Sequence, residues 1–566
     1  MKKITVTIAL IASLITATAC DGITGREEEI DKDVTTLYVE NFTGGFGVEW
    51  LEKIEKRFES EYSTYYNEDN GKTGVNIEIV EGKTGGSALV SSVNKGMSDV
   101  FFTENVFYSD LVSSGAAMDI TDLVKQSNSD NKTIESKLNE QQQNYYGTIG
   151  KDGKQHYYAL PHYTSYSGLS YNVDVFNEYN LFLEGNPDKA YKATKNGDYY
   201  SFTNLDGILS YGPDGKHGTD DDGLPATFEE FFAVMTEIKE KSVVPFMWSG
   251  QWVGGYFGWY LEALSAAIDG LENTKLQYSF DGTATTIIDH FDDSENPVLK
   301  PPTTITNNNG YEAFHTEGRY YALKFFEHIL SDSANWGTQA NSGTHGHIDA
   351  QTDYLVSYYG GDSTKKPVAM MLEGSWWYNE AREFGVMDYL AGRGVKEKDI
   401  NVRYMPWPKL SDEQVGDRQT LVSSMYSVGF IKSAIAKEKE DIAKKFLMYC
   451  YTDESLQEFT QTTSTMKALQ YEITPAQYDA MSNYAKSIYD VHSAETTDIV
   501  YPFSQNPIYT SSASSLAGNT IFVTTKYANA YTAMKNDKMK AKTYYENMME
   551  LYTEKSWQKY SEYFNK

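Results

Sequence analysis

Alternating strand and helix patterns near the start of the chain constrain the fold more than any other feature of the sequence. Residues 35–42, TTLYVENF, alternate apolar and polar side chains as a strand does, and residues 73–82, TGVNIEIVEG, alternate again. Between them, GVEWLEKIEKRFESEY places Leu51, Ile54 and Phe58 on one face of a helix. A strand, helix, strand order at this spacing predicts a βαβ unit, so we expect an α/β protein with a parallel sheet.

The turn between the first strand and its helix is rich in glycine. Residues 43–47 read TGGFG, which lets the backbone approach whatever lies at the carboxyl edge of the sheet. In open α/β sheets this edge is where ligands bind. Phe46 in this turn is therefore a candidate binding residue.

Similar patterns continue along a chain of 566 residues, a length that predicts two or more lobes. Thr227 and Glu230 form a predicted capping box at the start of a helix. A stretch rich in Gly, Asp and Tyr, from about 180 to 225, precedes this helix and is predicted to be an insertion. Further strands are predicted at MSDVFF, HYYALPHYTSYSGLSYN, PVAMML, NVRYMPW and MYSVGFI.

The first twenty residues have the pattern of a signal peptide. Lys2 and Lys3 precede an apolar run, and small residues lead to Cys20, as in a bacterial lipobox. We expect acylation of Cys20, a flexible tether over residues 21–33, and a protein held at the extracellular face of the cytoplasmic membrane. The alternative is an ordinary secreted protein cleaved nearby, which leaves Cys20 without a role.

The net charge and the number of cysteines argue against two other classes of protein, those that bind nucleic acid or anionic lipid and those held together by disulfides. The formal net charge of -30 argues against nucleic acid or anionic lipid as a partner, because both are bound through clustered Lys and Arg. Besides Cys20 the chain contains only Cys450, so no framework of disulfides is available and the cores must be stable without one.

Several segments, in order along the chain, resemble those of one protein family. They are MSDVFF with GAAMDITDLV, HYYALPHYTSYSGLSYNVDVF, LPATFEEFFAVMTEIKEK, AQTDYL with PVAMMLEGSWWYNEA, RYMPWPKL, and SVGFIKSAIAKEKEDIAKKFLMYCYTDESLQEF. In this order and behind a lipobox, they resemble the extracellular solute-binding lipoproteins of ABC importers, the large family that includes maltodextrin and other sugar-binding proteins.

The resemblance implies a periplasmic-binding-protein-like fold, with two α/β lobes joined by hinge strands and a ligand cleft between them. The first lobe would comprise residues 34–163 and 410–453, and the second residues 164–409 and 454–566. It also implies a monomer without a required cofactor or catalytic residue, which captures a sugar or oligosaccharide and delivers it to membrane permease subunits.

A sugar site needs aromatic plates for the C–H faces and amide or carboxylate groups for the hydroxyls. In the family the tryptophan of the GSW segment commonly lines the cleft, which corresponds here to Trp376. For each of Trp248 and Trp377, a place in the core is as good a prediction as a place in the cleft, and adjacent Trp376 and Trp377 cannot both face one ligand. The full set of candidate ligand-binding residues is Phe46, Asn105, Tyr163, Trp248, Gln251, Trp252, Glu373, Trp376 and Trp377.

Two other functions stay open at this point. Glu104 and Glu373 are the pair to suspect if the protein is an extracellular glycoside hydrolase, since such enzymes use two carboxyl groups that can come from anywhere in the sequence. The second possibility is a receptor of the same fold for a solute that is not a sugar.

The stretch GPDGKHGTDDDGLP, residues 212–225, holds four aspartates and is called the acidic loop below. It lacks EF-hand spacing, but four carboxylates within nine residues repel each other unless a cation joins them. We expect a structural calcium ion held by Asp214, Asp220 and Asp222, with Asp221 pointing away. The alternative is a solvated turn without metal.

Overall fold

The computed structural model of the protein describes residues 33–82, 86–362, 364–423, 427–510 and 522–563. Its two largest sheets contain β1 (Thr35–Phe42), β2 (Val75–Gly82), β3 (Val100–Glu104), β4 (Leu160–Pro161), β5 (Ser167–Asn172), β6 (Val244–Met247), β7 (Val368–Gly374), β8 (Val402–Met405) and β9 (Ser427–Ile431). The helices discussed below are α1 (Glu49–Glu61), α2 (Phe228–Glu240), α3 (Val253–Ser279), α4 (Glu317–Leu330), α5 (His347–Tyr359), α6 (Trp377–Glu383) and α7 (Asp453–Thr463).

Other helices span Gly86–Ser92, Tyr108–Ser114, Thr121–Lys125, Glu140–Tyr146, Val173–Glu178, Val386–Ala391, Lys437–Tyr449, Pro475–Ala480, Asn483–Ser493, Ala530–Asn536, Ala541–Met549 and Glu554–Trp557. Short strands outside the two large sheets span Tyr66–Asn67, Lys72–Thr73, Thr148–Ile149, Gln155–His156, Tyr163–Thr164, Phe182–Leu183, Gly185–Asn186, Lys192–Ala193, Lys195–Asn196, Tyr199–Tyr200, Phe202–Thr203, Gly282–Ala284, Ile288–Phe291, Pro297–Leu299, Thr303–Ile305, Gln419–Val422, Met466–Lys467 and Thr497–Val500.

The first sheet has the strand order β2-β1-β3-β9-β4. Strands β2 and β3 both run parallel to β1, which confirms the predicted βαβ unit, while β9 runs antiparallel to β3. On α1 the predicted apolar face is fully buried at Leu51, Ile54 and Phe58. Burial of this face against the sheet explains why this amphipathic segment is helical.

The second sheet has the order β6-β7-β5-β8, in which β6 and β7 are parallel and β5 is antiparallel to both of its neighbours. The predicted capping box of α2 is present, with the Thr227 side chain accepting from the N–H of Glu230. Helices α3 and α4 pack together, with ring centroids of Phe257 and Phe326 4.6 Å apart. The predicted α/β class is confirmed in both sheets.

The chain passes from the first sheet to the second between Pro161 and Ser167 and returns between Met405 and Ser427. One helix differs from the predicted division into lobes. Helix α7, most of which was assigned to the second lobe, lies against α1 of the first sheet, because Arg57 on α1 binds Glu458 at 2.8 Å. The other predicted boundaries stay predictions.

The predicted insertion consists of small hairpins rather than a layer of either large sheet. Phe182–Leu183 pairs with Phe202–Thr203, Gly185–Asn186 pairs with Lys192–Ala193, and Lys195–Asn196 pairs with Tyr199–Tyr200. The acidic loop follows these hairpins and leads directly into α2.

Candidate ligand cleft

The glycine-rich turn after β1 meets the start of α6, so the two sheets face each other at this point. The side chain of Asn379 on α6 donates to the carbonyl of Gly45 at 3.2 Å. Gly45 has a φ of 74°, and a Cβ atom at this position would lie 3.2 Å from the Cβ of Trp376. The turn can therefore approach Trp376 this closely only with glycine at position 45.

Trp376 forms the centre of an aromatic wall and is only 4% exposed. Tyr256 and Trp259 on α3 stack with each other at a centroid distance of 5.3 Å. Both stand edge-on to Trp376, at 6.4 and 6.1 Å. The resemblance indicated Trp376, and the structure places it where two sheets meet.

The opposite wall carries two of the predicted residues in contact. The rings of Phe46 and Tyr163 lie 4.2 Å apart, and both side chains are buried. Asn105 has a left-handed backbone with φ 58°, and its amide donates to Glu104 at 3.3 Å. These three residues of the first lobe are thus grouped around Glu104.

Three carboxyl groups lie at this junction and are called the cleft carboxyls below: Glu104, Glu373 and Glu380. Glu104 ends β3 of the first sheet, while Glu373 lies on β7 and Glu380 on α6 of the second. All three are at least nine-tenths buried. The cleft thus brings carboxyl groups from opposite sides of the molecule into one enclosed region.

Each cleft carboxyl has few partners. The Tyr163 hydroxyl donates to Glu104, and the amide of Gln351 donates to Glu380 at 2.9 Å. Among the described residues, the Oε1 atom of Glu373 accepts only from the next backbone N–H, at 3.1 Å, and its Oε2 atom has no partner. A buried carboxylate oxygen without a donor is costly, so this atom is a natural place for a ligand donor.

Burial raises the pKa of Glu104 to about 7, although the hydrogen bond from Tyr163 opposes the shift. Burial also raises the pKa of Glu380 to about 7, with the charge of Glu104 adding to the effect of burial. The pKa of Glu373 is raised well above its ordinary range by burial and, secondarily, by Glu380. The three groups therefore hold protons more tightly than carboxyls in water.

A cavity of about 330 Å³ opens beside Glu380, one of the cleft carboxyls, and is called the mouth cavity below. One side is the turn at residues 43–48, and the other comprises His347, Glu380, Glu383 and Phe384. Phe384 is 65% exposed, which is unusual for so large an apolar side chain unless it meets a ligand or partner.

Four predicted ligand residues are placed elsewhere. Trp377 is fully buried and donates from its indole to Ser170 at 2.9 Å, and Trp248 is buried against Trp336. Both belong to the core of the second lobe, which is the alternative that the sequence left open for each of them. Gln251 and Trp252 lie on the surface, beside the backbone that leads to His347 of the mouth cavity, rather than in the cleft.

Sequence reasoning missed Glu380, Gln351 and Phe384. A signal for Glu380 was present, because it follows Trp376 by four residues and therefore shares its helical face. Gln351 lies on α5 and reaches the cleft only through the packing of α5 against α6, for which the local sequence gave no sign.

The acidic loop arranges its aspartates differently from the prediction. Asp221 points inward and is 9% exposed, whereas Asp220 points outward to Arg403 at 3.3 Å. The predicted orientation of Asp221 is therefore wrong, because Asp221 accepts from the N–H of Asp214 at 3.0 Å and from the Thr219 hydroxyl at 2.8 Å, while calcium binding by Asp220 stays a prediction.

The other contacts of the loop satisfy its remaining carboxylates locally. Asp222 accepts from the N–H of Gly218 at 2.7 Å and lies 3.1 Å from a ring nitrogen of His217. In the part of the chain that the structure describes, no three His, Cys, Asp or Glu side chains are grouped as a metal site would require.

The N-terminal predictions fall outside the described residues. Cys20 and the tether up to residue 32 belong to this part of the chain. Among the helices that are described, none is long and apolar enough to cross a membrane.

Three solved structures share the fold of the whole chain at low identity. One is described as RafE in complex with raffinose (14% identical, 92% of this chain and 100% of that chain, TM-score 0.52). Another is a chitin oligosaccharide binding protein (14%, 94% and 100%, TM-score 0.51). A third comes from work on xylan utilization by Caldanaerobius polysaccharolyticus (13%, 92% and 100%, TM-score 0.51). Their agreement in fold confirms the two-lobed periplasmic-binding-protein-like architecture.

Comparison with curated protein sequences gives no match. The sequence profile of a family described as bacterial extracellular solute-binding protein, however, matches residues 61–486, about three quarters of the chain. This range includes α6, Trp376 and all three cleft carboxyls. The protein is therefore a member of the bacterial extracellular solute-binding protein family.

Proposed function

We propose that this solute-binding protein captures a carbohydrate in the cleft and delivers it to the permease of an ABC importer. The observation that carries the proposal is the pairing of the aromatic wall around Trp376 with the cleft carboxyls. Aromatic faces pack against the C–H faces of a sugar ring, and carboxylates accept from its hydroxyls. Raffinose, chitin oligosaccharide and xylan in the descriptions of the three structures support the same class of ligand.

Capture would use movement of the two lobes. Glu104 lies on one wall, and Glu373 and Glu380 lie on the other, so a ligand in contact with all three binds the closed form better than the open one. Closure needs no catalytic group, because the difference in affinity between the two forms supplies the free energy.

A panel of sugars tests the proposal directly. A bound sugar should raise the melting temperature and change the tryptophan fluorescence. The variant Trp376→Ala should bind the same sugar about 10- to 100-fold more weakly, since one stacking face is lost. Trp252→Ala, at an exposed position, is the matched control and should bind normally. If no sugar in the panel shifts either signal, the carbohydrate assignment is wrong.

A glycoside hydrolase is the second candidate, because both suspected carboxyls have a raised pKa. An acid catalyst needs such a group, and Glu104 meets this requirement. The second carboxyl of a hydrolase must be ionised, however, and burial favours the neutral form of Glu373 as well. We therefore propose binding without turnover, and mass spectrometry should recover the bound sugar intact after prolonged incubation.

We further propose that Cys20 carries a lipid and that the protein works as a monomer at the extracellular face. The support is the signal-like sequence before Cys20. Cys20→Ala should release the protein from the membrane fraction, and light scattering of the soluble form should give the mass of one chain. Release of the unaltered protein into the medium would contradict the anchor.

Calcium at the acidic loop remains a proposal with revised ligands, and because these side chains are not grouped as a metal site in the described residues, binding would require the loop to rearrange around the ion. The carboxylates of Asp214, Asp221 and Asp222 each have an oxygen within 3.5 Å of the Thr219 hydroxyl. They replace the predicted set that included Asp220. A bound ion would brace the insertion against α2 and take no part in sugar binding.

A further inference from the structure

The cleft carboxyls have no cationic partner. In the described part of the chain, no Lys or Arg side chain forms an ion pair with Glu104, Glu373 or Glu380. The groups that donate to them are the hydroxyl of Tyr163, the side-chain amides of Asn105 and Gln351, and a backbone N–H, all of them neutral. The positive charge that buried carboxylates usually require is therefore missing from the protein side.

The nearby Arg and Lys side chains contact groups other than the cleft carboxyls. Arg382 follows Glu380 by two residues on α6, but its guanidinium binds the carbonyl of Thr462 at 2.9 Å and the carboxylate of Glu397 at 2.8 Å. Lys467 is fully buried, which lowers its pKa well below the ordinary range, and its Nζ contacts the ring of His162 and lies 4.4 Å from the ring centroid of Trp50. Neither side chain is placed to neutralise the cleft.

Because the carboxyls lie on opposite walls, the missing positive charge affects closure of the cleft. Closing an empty cleft moves Glu104 toward Glu373 and Glu380 and removes water from all three, which is unfavourable if they are ionised. A ligand that carries positive charge would reverse this effect, because it attracts both walls at once. An ammonium group also has three donors, and the Oε2 atom of Glu373 is an acceptor without a partner.

We propose that the ligand of this cleft carries a positively charged amino group, so that the substrate class is an amino sugar or an oligosaccharide that contains one. The inference rests on the proposed carbohydrate function and narrows it. Acidic sugars are excluded, because their carboxylate would meet three buried carboxyls and no cationic side chain in the closed cleft.

The test uses pairs of sugars that differ only by an amino group in place of a hydroxyl. Glucosamine is compared with glucose, galactosamine with galactose, and the β-1,4 oligomers of glucosamine with those of glucose. Isothermal titration at about 0.15 M salt suppresses attraction to the acidic surface. The amino member of the pair that binds should bind at least 10-fold more tightly, and oligomers of galacturonic acid should not bind.

Variants of the cleft carboxyls test whether these groups cause the tighter binding of amino sugars. In Glu373→Gln, and more strongly in the double variant with Glu380→Gln, the ratio of the two affinities should fall toward 1. Glu68→Gln removes an exposed carboxylate and should keep the ratio of the unaltered protein. The variants' melting temperatures and circular dichroism confirm that they are folded.

Each outcome decides between the two proposals. Equal affinity for the amino and hydroxyl members, or a preference that survives the double variant, overturns the inference and leaves carbohydrate capture standing. Binding of galacturonic acid oligomers also overturns it. If neither member of any pair binds, nor any sugar of the wider panel, the proposed function fails together with the inference.

Discussion

The acidic loop and the cleft both collect carboxyl groups, but they do so in different ways. The loop draws its four aspartates from nine consecutive residues, whereas the cleft carboxyls come from positions 104, 373 and 380. In the loop, Asp214, Asp221 and Asp222 each accept from a donor of the loop itself, such as the backbone N–H of Gly218 for Asp222. In the cleft, one carboxylate oxygen, Oε2 of Glu373, has no donor among the described residues.

In the loop, the hydrogen bonds of the carboxylates are made within the turn, whereas the cleft carboxyls would obtain further donors from a ligand. Backbone N–H groups of a tight loop can solvate carboxylates without any ligand, so a high density of aspartate is weak support for a metal. Carboxyls that two lobes bury together have no such local donors and depend on what enters between them. The contrast can be tested in the ligand-free protein.

The largest expected effect is a fall in stability with rising pH that originates in the cleft. Glu104 and Glu380 have a pKa of about 7 in the folded protein, above the unfolded value of about 4.5, so the folded state holds more protons between these values. The contribution of these groups to stability should therefore be fully present below about pH 4.5 and be lost as the pH rises to about 7. Ionisation of each carboxyl over this pH range lowers the free energy of unfolding by up to about 3 kcal/mol. The loss is smaller if the cleft opens and the carboxyl is less buried. Thermal melts at pH 5, 6, 7 and 8 measure this slope.

The double variant Glu373→Gln with Glu380→Gln is the control for that slope. Its melting temperature should vary less between pH 5 and pH 8, because two of the groups that take up protons are gone. The loop carboxylates and the net charge of -30 stay in place, so they contribute equally to both proteins. An unchanged slope in the variant would show that the cleft is not the source.

The next effect belongs to the loop. Asp221→Ala removes the acceptor for the N–H of Asp214 and the hydroxyl of Thr219, which should lower the free energy of unfolding by about 1–2 kcal/mol. Urea unfolding measures this difference, with Asp293→Ala at an exposed position as the control. A variant as stable as the unaltered protein would mean that the inward orientation of Asp221 contributes nothing.

Calcium should raise the free energy of unfolding by about 1.4 kcal/mol or less. At millimolar calcium, a site with a dissociation constant ten-fold lower stabilises the fold by about 1.4 kcal/mol, and weaker sites contribute less. Melting temperatures in calcium and in chelator should differ in the unaltered protein and coincide in Asp221→Ala. Equal melting temperatures in the unaltered protein would remove the metal from the loop.

Most of the fold could be predicted because it depends on local periodicity. The apolar spacing of Leu51, Ile54 and Phe58 and the capping pair of Thr227 and Glu230 are properties of short segments, and the structure confirms them. Residues 454–463 of the helix at Asp453–Thr463 were assigned to the second lobe, but the helix lies against α1, whose Arg57 stands about 400 residues earlier in the chain.

The candidate site was predictable only in part, for the same reason. Trp376 was found through family resemblance, but its neighbour Trp377 faces the core because the first residue of α6 points toward Ser170. Nothing in the sequence distinguishes the two orientations. Glu380 became a cleft residue only through the angle of α6 to the other lobe, which is a property of tertiary packing.

The smallest expected effect comes from the outermost aspartate of the loop. Asp220 is 73% exposed in its side chain and meets Arg403 at 3.3 Å, and a surface ion pair of this kind contributes about 0.5 kcal/mol or less. Asp220→Ala should therefore leave the urea midpoint almost unchanged and calcium stabilisation, if present, intact. A loss of calcium stabilisation in this variant would restore Asp220 as a ligand and require the loop to rearrange around the ion. Because Asp220 and Asp221 are adjacent and differ only in the direction of their side chains, the pair tests whether orientation rather than charge decides the role of each aspartate.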